Sequence, residues 1–280
     1  MQENVILQES VDLVRARLGA RLASITIERA VFGLFFSGVK LSTGQGGLCF
    51  TPIKDIPEAV CCPSSAAAMP LSGKLRGRCA ENYLEDIFGD NILKKALGIA
   101  TLNALSSLIW ELEPPTAYSV DMGRDAFDGV DVARFEKTVV IGALVPMLKK
   151  LIAGGCDFRI LEQDSRTLKP RELPYYAPAE DAPKYVPGAD LLVITGVTIL
   201  NDTLPGILKL AKPGAQIIVT GPTASMLPDA LFARGVTMAG GILVTKADAL
   251  LDIISEGGSG YHFFGKSAER TVICKSGDIA

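Results

Sequence analysis

The stretch KTVVIGALVPMLKKLIAGGCDFRILEQD, residues 137–164, has the pattern of a strand, a glycine turn, an amphipathic helix and a second strand. Such a unit favours two parallel strands joined by a right-handed crossover. The dinucleotide fingerprint needs three glycines in this turn, but only Gly142 is present, with Leu144 and Met147 at the other two positions. Leucine at the second position would keep a pyrophosphate away from the backbone. Dinucleotide binding in the usual mode is therefore disfavoured.

Strands and helices continue to alternate after this unit, which predicts an α/β fold built on a parallel sheet. Strands are predicted at residues 138–141, 157–161, 190–195, 216–220, 236–244 and 271–274. A helix at residues 201–211 can be capped by Asn201 or Asp202, and another at residues 246–256 is stopped by the glycines that follow. The proline-rich connection at residues 166–188 has little periodicity and is expected to cover one edge of the sheet.

The preceding part of the chain predicts a smaller α+β domain. Its predicted elements are an amphipathic helix at 5–22, strands within 23–42 and 48–53, a hairpin turn at 44–47, a loop at 61–73 and helices at 79–88 and 92–112. The last helix is apolar almost all round in its C-terminal half, which predicts burial between two layers. We place the boundary so that the domains are residues 1–118 and 119–280. Four aspartates, at 121, 125, 128 and 131, lack the alternation of a calcium loop and predict a solvated linker.

Composition excludes several classes of protein. The chain has 280 residues, 48% of them hydrophobic and 21% charged, with a net charge of -3, so it offers no basic field for nucleic acid. No signal peptide pattern and no uninterrupted apolar run of about 18 residues is present. We therefore expect a cytoplasmic protein with no membrane partner, and the sequence is compatible with a homo-oligomer.

The residues that most often bind metals or act as nucleophiles are few. The six cysteines are scattered without CxxC spacing, and reduced thiols are expected. The single histidine, His262, lies beside Phe263 and Phe264 and is predicted to be packed and not catalytic. No GxSxG motif occurs. This set would hold a transition metal weakly, since such ions favour thiolate and imidazole ligands.

Three turns at the carboxyl ends of predicted strands are candidate ligand sites, because ligands of open parallel sheets bind there. They contain Gly142, residues 195–198 and residues 221–225, and the last two are rich in hydroxyl groups. Glu162 follows Gly142 by twenty residues, where a ribose-binding acid would stand, although acids at strand ends are also common for solvation alone. Asn103 is either a buried amide satisfied by nearby backbone or an amide at the domain interface that orients a ligand.

Four segments together carry a resemblance to a known family. They are LGIATLNALS (97–106), VVIGALVPMLKKL (139–151), LVITGVTILNDTL (192–204) and GPTASMLPDALFARGV (221–236). They resemble the hallmark segments of uncharacterised proteins described as heavy-metal chelation domains. The resemblance implies an enolase N-terminal-like domain joined to a Rossmann-like domain, with a site in the cleft between them. It also implies a role in binding a heavy metal or a metal-bearing small molecule, in tetrapyrrole or cobalamin metabolism.

Carried onto this chain, the resemblance implicates ten ligand-binding residues. They are Asn103, Gly142, Thr195, Gly196, Thr198, Asn201, Gly221, Pro222, Thr223 and Ser225. The first hypothesis is therefore a binder of a small anionic metabolite or metal chelate. The alternative is a transferase-type enzyme that uses a nucleotide cofactor and Glu162, and a third reading is a scaffold whose turns are only turns. For Asn201 and Thr203, helix capping and ligand binding are equally good explanations.

Overall fold

A computed structural model describes residues 4–56 and 67–275. The described chain forms a three-stranded sheet and an eight-stranded, mostly parallel sheet, both packed against helices. The predicted α/β class is therefore confirmed. Cys61 and Cys62, with the first part of the predicted loop at residues 61–73, lie outside the described residues. The division into two domains after residue 118 stays a prediction.

The first helix ends earlier than its apolar periodicity predicts. Helix α1 (Val5–Leu18) buries Ile6, Val11 and Val14, as expected of an amphipathic helix. Gly19, with φ of 50°, ends α1, and the chain continues as a 3-10 helix over Gly19–Ser24. The periodicity extends further because the 3-10 helix still buries Leu22.

The small sheet is an antiparallel meander of β1 (Ile27–Phe32), β2 (Phe36–Leu41) and β3 (Gly46–Phe50). Gly46 and Gly47, predicted in the hairpin turn, belong to β3 instead. A Cβ atom on Gly47 would lie 2.1 Å from the carbonyl oxygen of Ala100. The glycine therefore allows β3 to pass close to the helix that carries Ala100, and it is not needed for a turn.

Helices α2 (Ala80–Asp86) and α3 (Ile92–Leu112) follow, both within their predicted ranges. Helix α3 packs against β2 and β3 on one side and against α1 and the C-terminal half on the other. By length and hydropathy α3 could span a membrane, but 83% of its most apolar window is buried inside the protein. Burial between two layers, as predicted, explains why it is apolar on all sides.

The large sheet contains all six predicted strands. Its strands are β4 (Tyr118–Met122), β5 (Thr138–Ile141), β6 (Phe158–Glu162), β7 (Tyr176–Pro178), β8 (Leu191–Thr195), β9 (Gln216–Thr220), β10 (Met238–Val244) and β11 (Ala268–Lys275). Their order is β4-β11-β10-β9-β8-β5-β6-β7. Strands β5 to β10 are parallel to one another, and β11 runs antiparallel between β10 and β4.

Both edge strands were missed by the sequence reasoning. Asp121, predicted in a solvated linker, lies in β4 and pairs with Val272 of β11. Strand β4 has five residues and forms because β11 offers it an unpaired edge, which local sequence does not reveal. Strand β7 has three residues and lies in the proline-rich connection, which covers the other edge as expected.

The remaining helices lie between the strands or after them. They are α4 (Val145–Ala153), α5 (Ala182–Tyr185), α6 (Val197–Leu200), α7 (Leu204–Leu210), α8 (Asp229–Phe232), α9 (Ala247–Ser255) and α10 (Gly260–Phe263). Neither Asn201 nor Asp202 caps α7, because its N-cap position is Thr203. His262 is exposed, not packed, since α10 turns Phe263 into the core instead. The backbone N–H of Ser259 donates to Nδ1 of His262 at 3.0 Å.

Candidate functional site

The order of strands reverses between β5 and β8. The chain leaves β5 for β6 on one side, and it leaves β8 for β9 on the other. At such a point the turns on the two strands diverge and leave a crevice, which is where open parallel sheets bind ligands. Gly142 follows β5, and Thr195 ends β8. These two predicted site residues therefore lie at the switch point, which here denotes the carboxyl ends of β5 and β8.

The turns at the switch point touch each other. Gly142 has φ of 92°, and a Cβ atom on it would lie 2.7 Å from Cγ2 of Thr195. Both the backbone conformation and the contact therefore require glycine. The N–H of Gly142 donates to the carbonyl oxygen of Leu161 in β6 at 2.9 Å, which holds the turn to the sheet. Within the described residues the next amide, that of Ala143, donates no hydrogen bond.

The turn after β8 is stabilised by its own polar groups. The N–H of Gly196 donates to the carbonyl oxygen of Thr220 at 2.7 Å, and the hydroxyl of Thr198 donates to the carbonyl oxygen of Thr195 at 2.7 Å. Thr198 is buried, so its hydroxyl holds the turn. The hydroxyl of Thr195 is half-buried and accepts a long bond, 3.4 Å, from the N–H of Val197. Of the two hydroxyls in this turn, that of Thr195 is the better available to a ligand.

The turn after β9 uses its hydroxyls inside the protein. The hydroxyl of Thr223 accepts from the N–H of Phe50 at 3.0 Å. That of Ser225 donates to the carbonyl oxygen of Pro222 at 2.8 Å and accepts from the N–H of Ile242 at 2.9 Å. Ser225 ends the short 3-10 helix Pro222–Ala224 and bonds back to it, while a ligand contact of either hydroxyl stays a prediction. Both hydroxyls join neighbouring elements, because β3 and β10 present unpaired amides to them.

Asn103 joins α3 to both sheets. Its Nδ2 donates to the carbonyl oxygens of Leu48 at 2.8 Å, Thr223 at 3.1 Å and Pro222 at 3.3 Å. The side chain is 3% exposed, and its Oδ1 has no hydrogen-bond partner within the described residues. The Nδ2 group is thus satisfied by backbone at the place where the two sheets meet, and a role in orienting a ligand stays a prediction.

A buried thiol next to this junction escaped the sequence reasoning. Cys49 in β3 is fully buried, and burial raises the pKa of its thiol to about 12, although a hydrogen bond with Thr223 and the charge of Lys95 act in the opposite direction. Burial therefore disfavours the thiolate, the form that acts as a nucleophile or metal ligand. Scattered cysteines carried no signal that would have singled it out.

The segment 50–54 links the turns after β9 and β6, and we call it the roof. Its first residue, Phe50, is bonded to Thr223 after β9, and its last, Lys54, bonds to Oδ2 of Asp164 after β6 at 2.7 Å. Because β8 and β5 lie between β9 and β6 in the sheet, the two anchors lie on either side of the switch point. The Arg166 guanidinium and the Lys54 ammonium together hold the pKa of the Asp164 carboxyl well below its usual range. No sequence motif indicated the roof, since its two anchors are far away in the chain.

Two other predicted residues lie further out. Glu162, half-buried, ends β6, and its Oε1 accepts from the N–H of Gln163 at 2.8 Å and that of Asp164 at 3.3 Å. Asn201 is exposed at the far end of α6, where its Oδ1 accepts from the Thr203 hydroxyl at 2.7 Å. The structure therefore brings the turns after β5, β8 and β9 together with Asn103, and it leaves Asn201 outside that group.

The described residues do not fit a directly bound metal ion. Among residues 4–56 and 67–275, no three histidine, cysteine, aspartate or glutamate side chains are grouped closely enough to hold one. The donors at the switch point are amides and hydroxyls, which suit the oxygen atoms of an anionic organic ligand.

Comparisons with known proteins agree with this fold. The chain is 29% identical to an uncharacterised protein of Methanocaldococcus jannaschii over 198 residues, which cover 69% of this chain and 71% of that protein. Two crystal structures from the DUF364 family, both of unknown function, are similar to it. That from Pyrococcus horikoshii has a TM-score of 0.75 at 18% identity, covering 95% of this chain and 98% of that one. That from Desulfitobacterium hafniense has a TM-score of 0.71 at 19% identity, covering 96% and 99%.

Two family profiles match the chain, and both carry the description "putative heavy-metal chelation". The DUF4213 profile matches residues 15–106, and the DUF364 profile matches residues 125–273. The second match alone spans more than half of the chain, and the resemblance found in the four sequence segments is confirmed by it. The chain therefore belongs to the DUF364 family, whose profile carries that description.

Proposed function

We propose that the protein binds a small anionic metabolite, including a metal ion held in an organic chelate, at the switch point between the two anchors of the roof. The observation that carries the proposal is the contact between Gly142 and Thr195 where the strand order reverses. The amide of Ala143 and the hydroxyl of Thr195 supply hydrogen-bond donors there. In the first turn of α4 the N–H of Val145 donates to Ala143 and Pro146 has none, so the positive end of the helix dipole, and not a set of free amides, favours an anion at this edge.

A chelate suits the site better than a bare ion. The family description points to a heavy metal, whereas the described donors are of the wrong type to hold one directly. An organic ligand that already surrounds the metal would meet both conditions, because its carboxylates can be bound by amides and hydroxyls. The metabolism of tetrapyrroles or cobalamin, in the cytoplasm, is the setting that we propose for such a ligand.

Thermal unfolding with defined probes tests this function. We expect nickel–citrate or uroporphyrin, an anionic tetrapyrrole, to raise the unfolding temperature, whereas Ni²⁺ alone does not. Thr195→Val keeps the methyl group against Gly142 and removes the hydroxyl, so it should weaken the shift. Thr26→Val is the matched control, because Thr26 is half-buried just before β1 of the small sheet, away from the switch point. The absence of stabilisation by every chelate, metal and nucleotide tested would refute the proposal.

A nucleotide-dependent transferase is the second candidate. Glu162 supports it, because it ends the strand next to Gly142 and its Oε2 accepts no hydrogen bond from the described residues. Leu144 at the second fingerprint position is half-buried, and its side chain disfavours the close approach of a pyrophosphate to the backbone. A mononucleotide whose ribose binds Glu162 remains compatible with the site. Glu162→Ala should then weaken ATP binding measured by calorimetry, and an unchanged affinity would remove this role.

A further inference from the structure

A second cavity lies at the opposite edge of the large sheet. It has a volume of about 530 Å³ and lies between the segment 123–135 and one face of strands β4, β9, β10 and β11. Gln216 and Met238 begin β9 and β10, so the cavity lies toward the amino ends of the parallel strands. It is therefore separate from the switch point, which lies at their carboxyl ends.

The cavity exists because this face of the sheet lacks a covering helix. Helix α4 packs over β5 and β6, but β4 is joined to β5 by turns and one short 3-10 helix, Val132–Arg134. The register places Ser119, Cys274 and Met238 in one row across β4, β11 and β10. Met238 of this row, with Val272 and the ring of Phe135, forms an apolar patch in a cavity whose other lining residues are mostly polar.

Two of the three carboxylates that line the cavity are in ion pairs, whereas the third, Asp131, accepts the N–H of Ala133 at 3.2 Å and has no ion pair within the described residues. Asp121 bonds to Arg124 at 3.1 Å, and Asp125 pairs with Arg270 at 3.2 Å. Arg134 also lines the cavity, and its guanidinium has no ion-pair or hydrogen-bond partner within the described residues. The side-chain amide of Gln216, half-buried at the same cavity, likewise makes no hydrogen bond within the described part of the chain.

We propose that this cavity binds a small organic carboxylate with an apolar body. Arg134 would bind the carboxylate through a bidentate pair of hydrogen bonds, which its planar guanidinium favours. Gln216 would donate to the same group, and the apolar body would lie on Met238, Val272 and Phe135. The volume falls in the range of small-molecule sites.

Calorimetric titration of the full chain with 1-naphthoate tests the proposal, with 1-naphthamide as the neutral analogue. We expect saturable binding of 1-naphthoate and binding of the amide that is about ten-fold weaker, equivalent to about 1.4 kcal/mol. Arg134→Gln should lower the affinity for 1-naphthoate by a similar factor, about ten-fold, and leave the affinity for 1-naphthamide unchanged. Arg21→Gln is the matched control, because Arg21 is exposed and lies in the first 3-10 helix, outside this cavity.

A second variant, at Gln216, tests the cavity independently of any effect that Arg134→Gln has on folding. Gln216→Leu keeps the volume of the side chain and should weaken 1-naphthoate binding by a smaller factor. Equal affinities for acid and amide, or an Arg134→Gln protein that binds 1-naphthoate normally, would overturn the proposal. Nickel–citrate stabilisation in the Arg134→Gln protein should be unchanged, so failure at this cavity and failure at the switch point can be told apart.

Discussion

Lys95 on α3 forms an ion pair with Asp202, which alone among the described residues other than glycine has a left-handed backbone, with φ of 61°. Lys95 is 7% exposed, so its side chain reaches this partner from a buried position on α3. Nδ2 of Asn4 also donates to Oδ1 of Asp202 at 2.6 Å. Because Asp202 follows α6, which begins at the turn after β8, these bonds tie the switch point to α1 and α3.

Substitution of Asp202 separates the ion pair from the backbone strain. Asp202→Ala and Asp202→Gly both remove the carboxylate, but only alanine must keep a side chain in the left-handed region. We expect Asp202→Gly to be more stable than Asp202→Ala by about 1 kcal/mol. Urea unfolding at neutral pH measures the difference. Equal stabilities would show that residue 202 leaves the left-handed conformation once the carboxylate is gone.

The contact of Gly142 with Thr195 predicts that substitutions at these two positions have non-additive effects on stability. Gly142→Ala should cost about 2 kcal/mol, because the methyl group meets Thr195 and the positive φ disfavours alanine. Thr195→Ser removes Cγ2, the methyl group that the new side chain of Gly142→Ala would contact. The double variant should therefore recover part of the stability that Gly142→Ala loses. A double-mutant cycle from urea unfolding measures the coupling. Additive losses would mean that strain at Gly142, and not the contact, causes the whole effect.

Asn103 is expected to stabilise the junction of the two sheets through its donors. Asn103→Leu keeps the size of the side chain but leaves three carbonyl oxygens without this donor, which should cost about 2 kcal/mol. Asn103→Asp should cost more, since a carboxylate would face the same three oxygens. Urea midpoints of both variants give the order. If Asn103→Asp were the more stable, a donor to Oδ1 must exist that the described contacts do not include.

The strands and helices that follow periodic patterns were predictable from the sequence. All six strands predicted in the parallel sheet and the long helix α3 have strong apolar patterns, and their residues form the core. Strands β4 and β7 were not predictable, because each is short and depends on a neighbour that is distant in sequence. His262 was placed wrongly because adjacent phenylalanines do not show which way a four-residue helix turns.

The candidate site was predictable only in part. Glycine turns at strand ends located the switch point, since Gly142 has a conformation and a contact that only glycine tolerates. The roles of Thr223 and Ser225 were not predictable, because a hydroxyl in a turn looks the same whether it meets a ligand or a distant amide. Their partners, Phe50 and Ile242, become neighbours only when the two sheets pack together.

Acid should weaken the anchor of the roof. The pKa of Asp164 is lowered by Arg166 and Lys54, so the folded protein holds this proton less tightly than the unfolded chain does. The resulting stability is present above the unfolded pKa of about 3.9 and is lost progressively as the pH falls below it. Asp164→Asn lacks this group, so its urea midpoint should fall less than that of the unmodified protein between about pH 4 and pH 2. Lys54→Met removes one of the two cations and should give an intermediate slope. Parallel acid curves for the unmodified protein and Asp164→Asn would show that the Asp164 carboxylate does not hold the roof in solution.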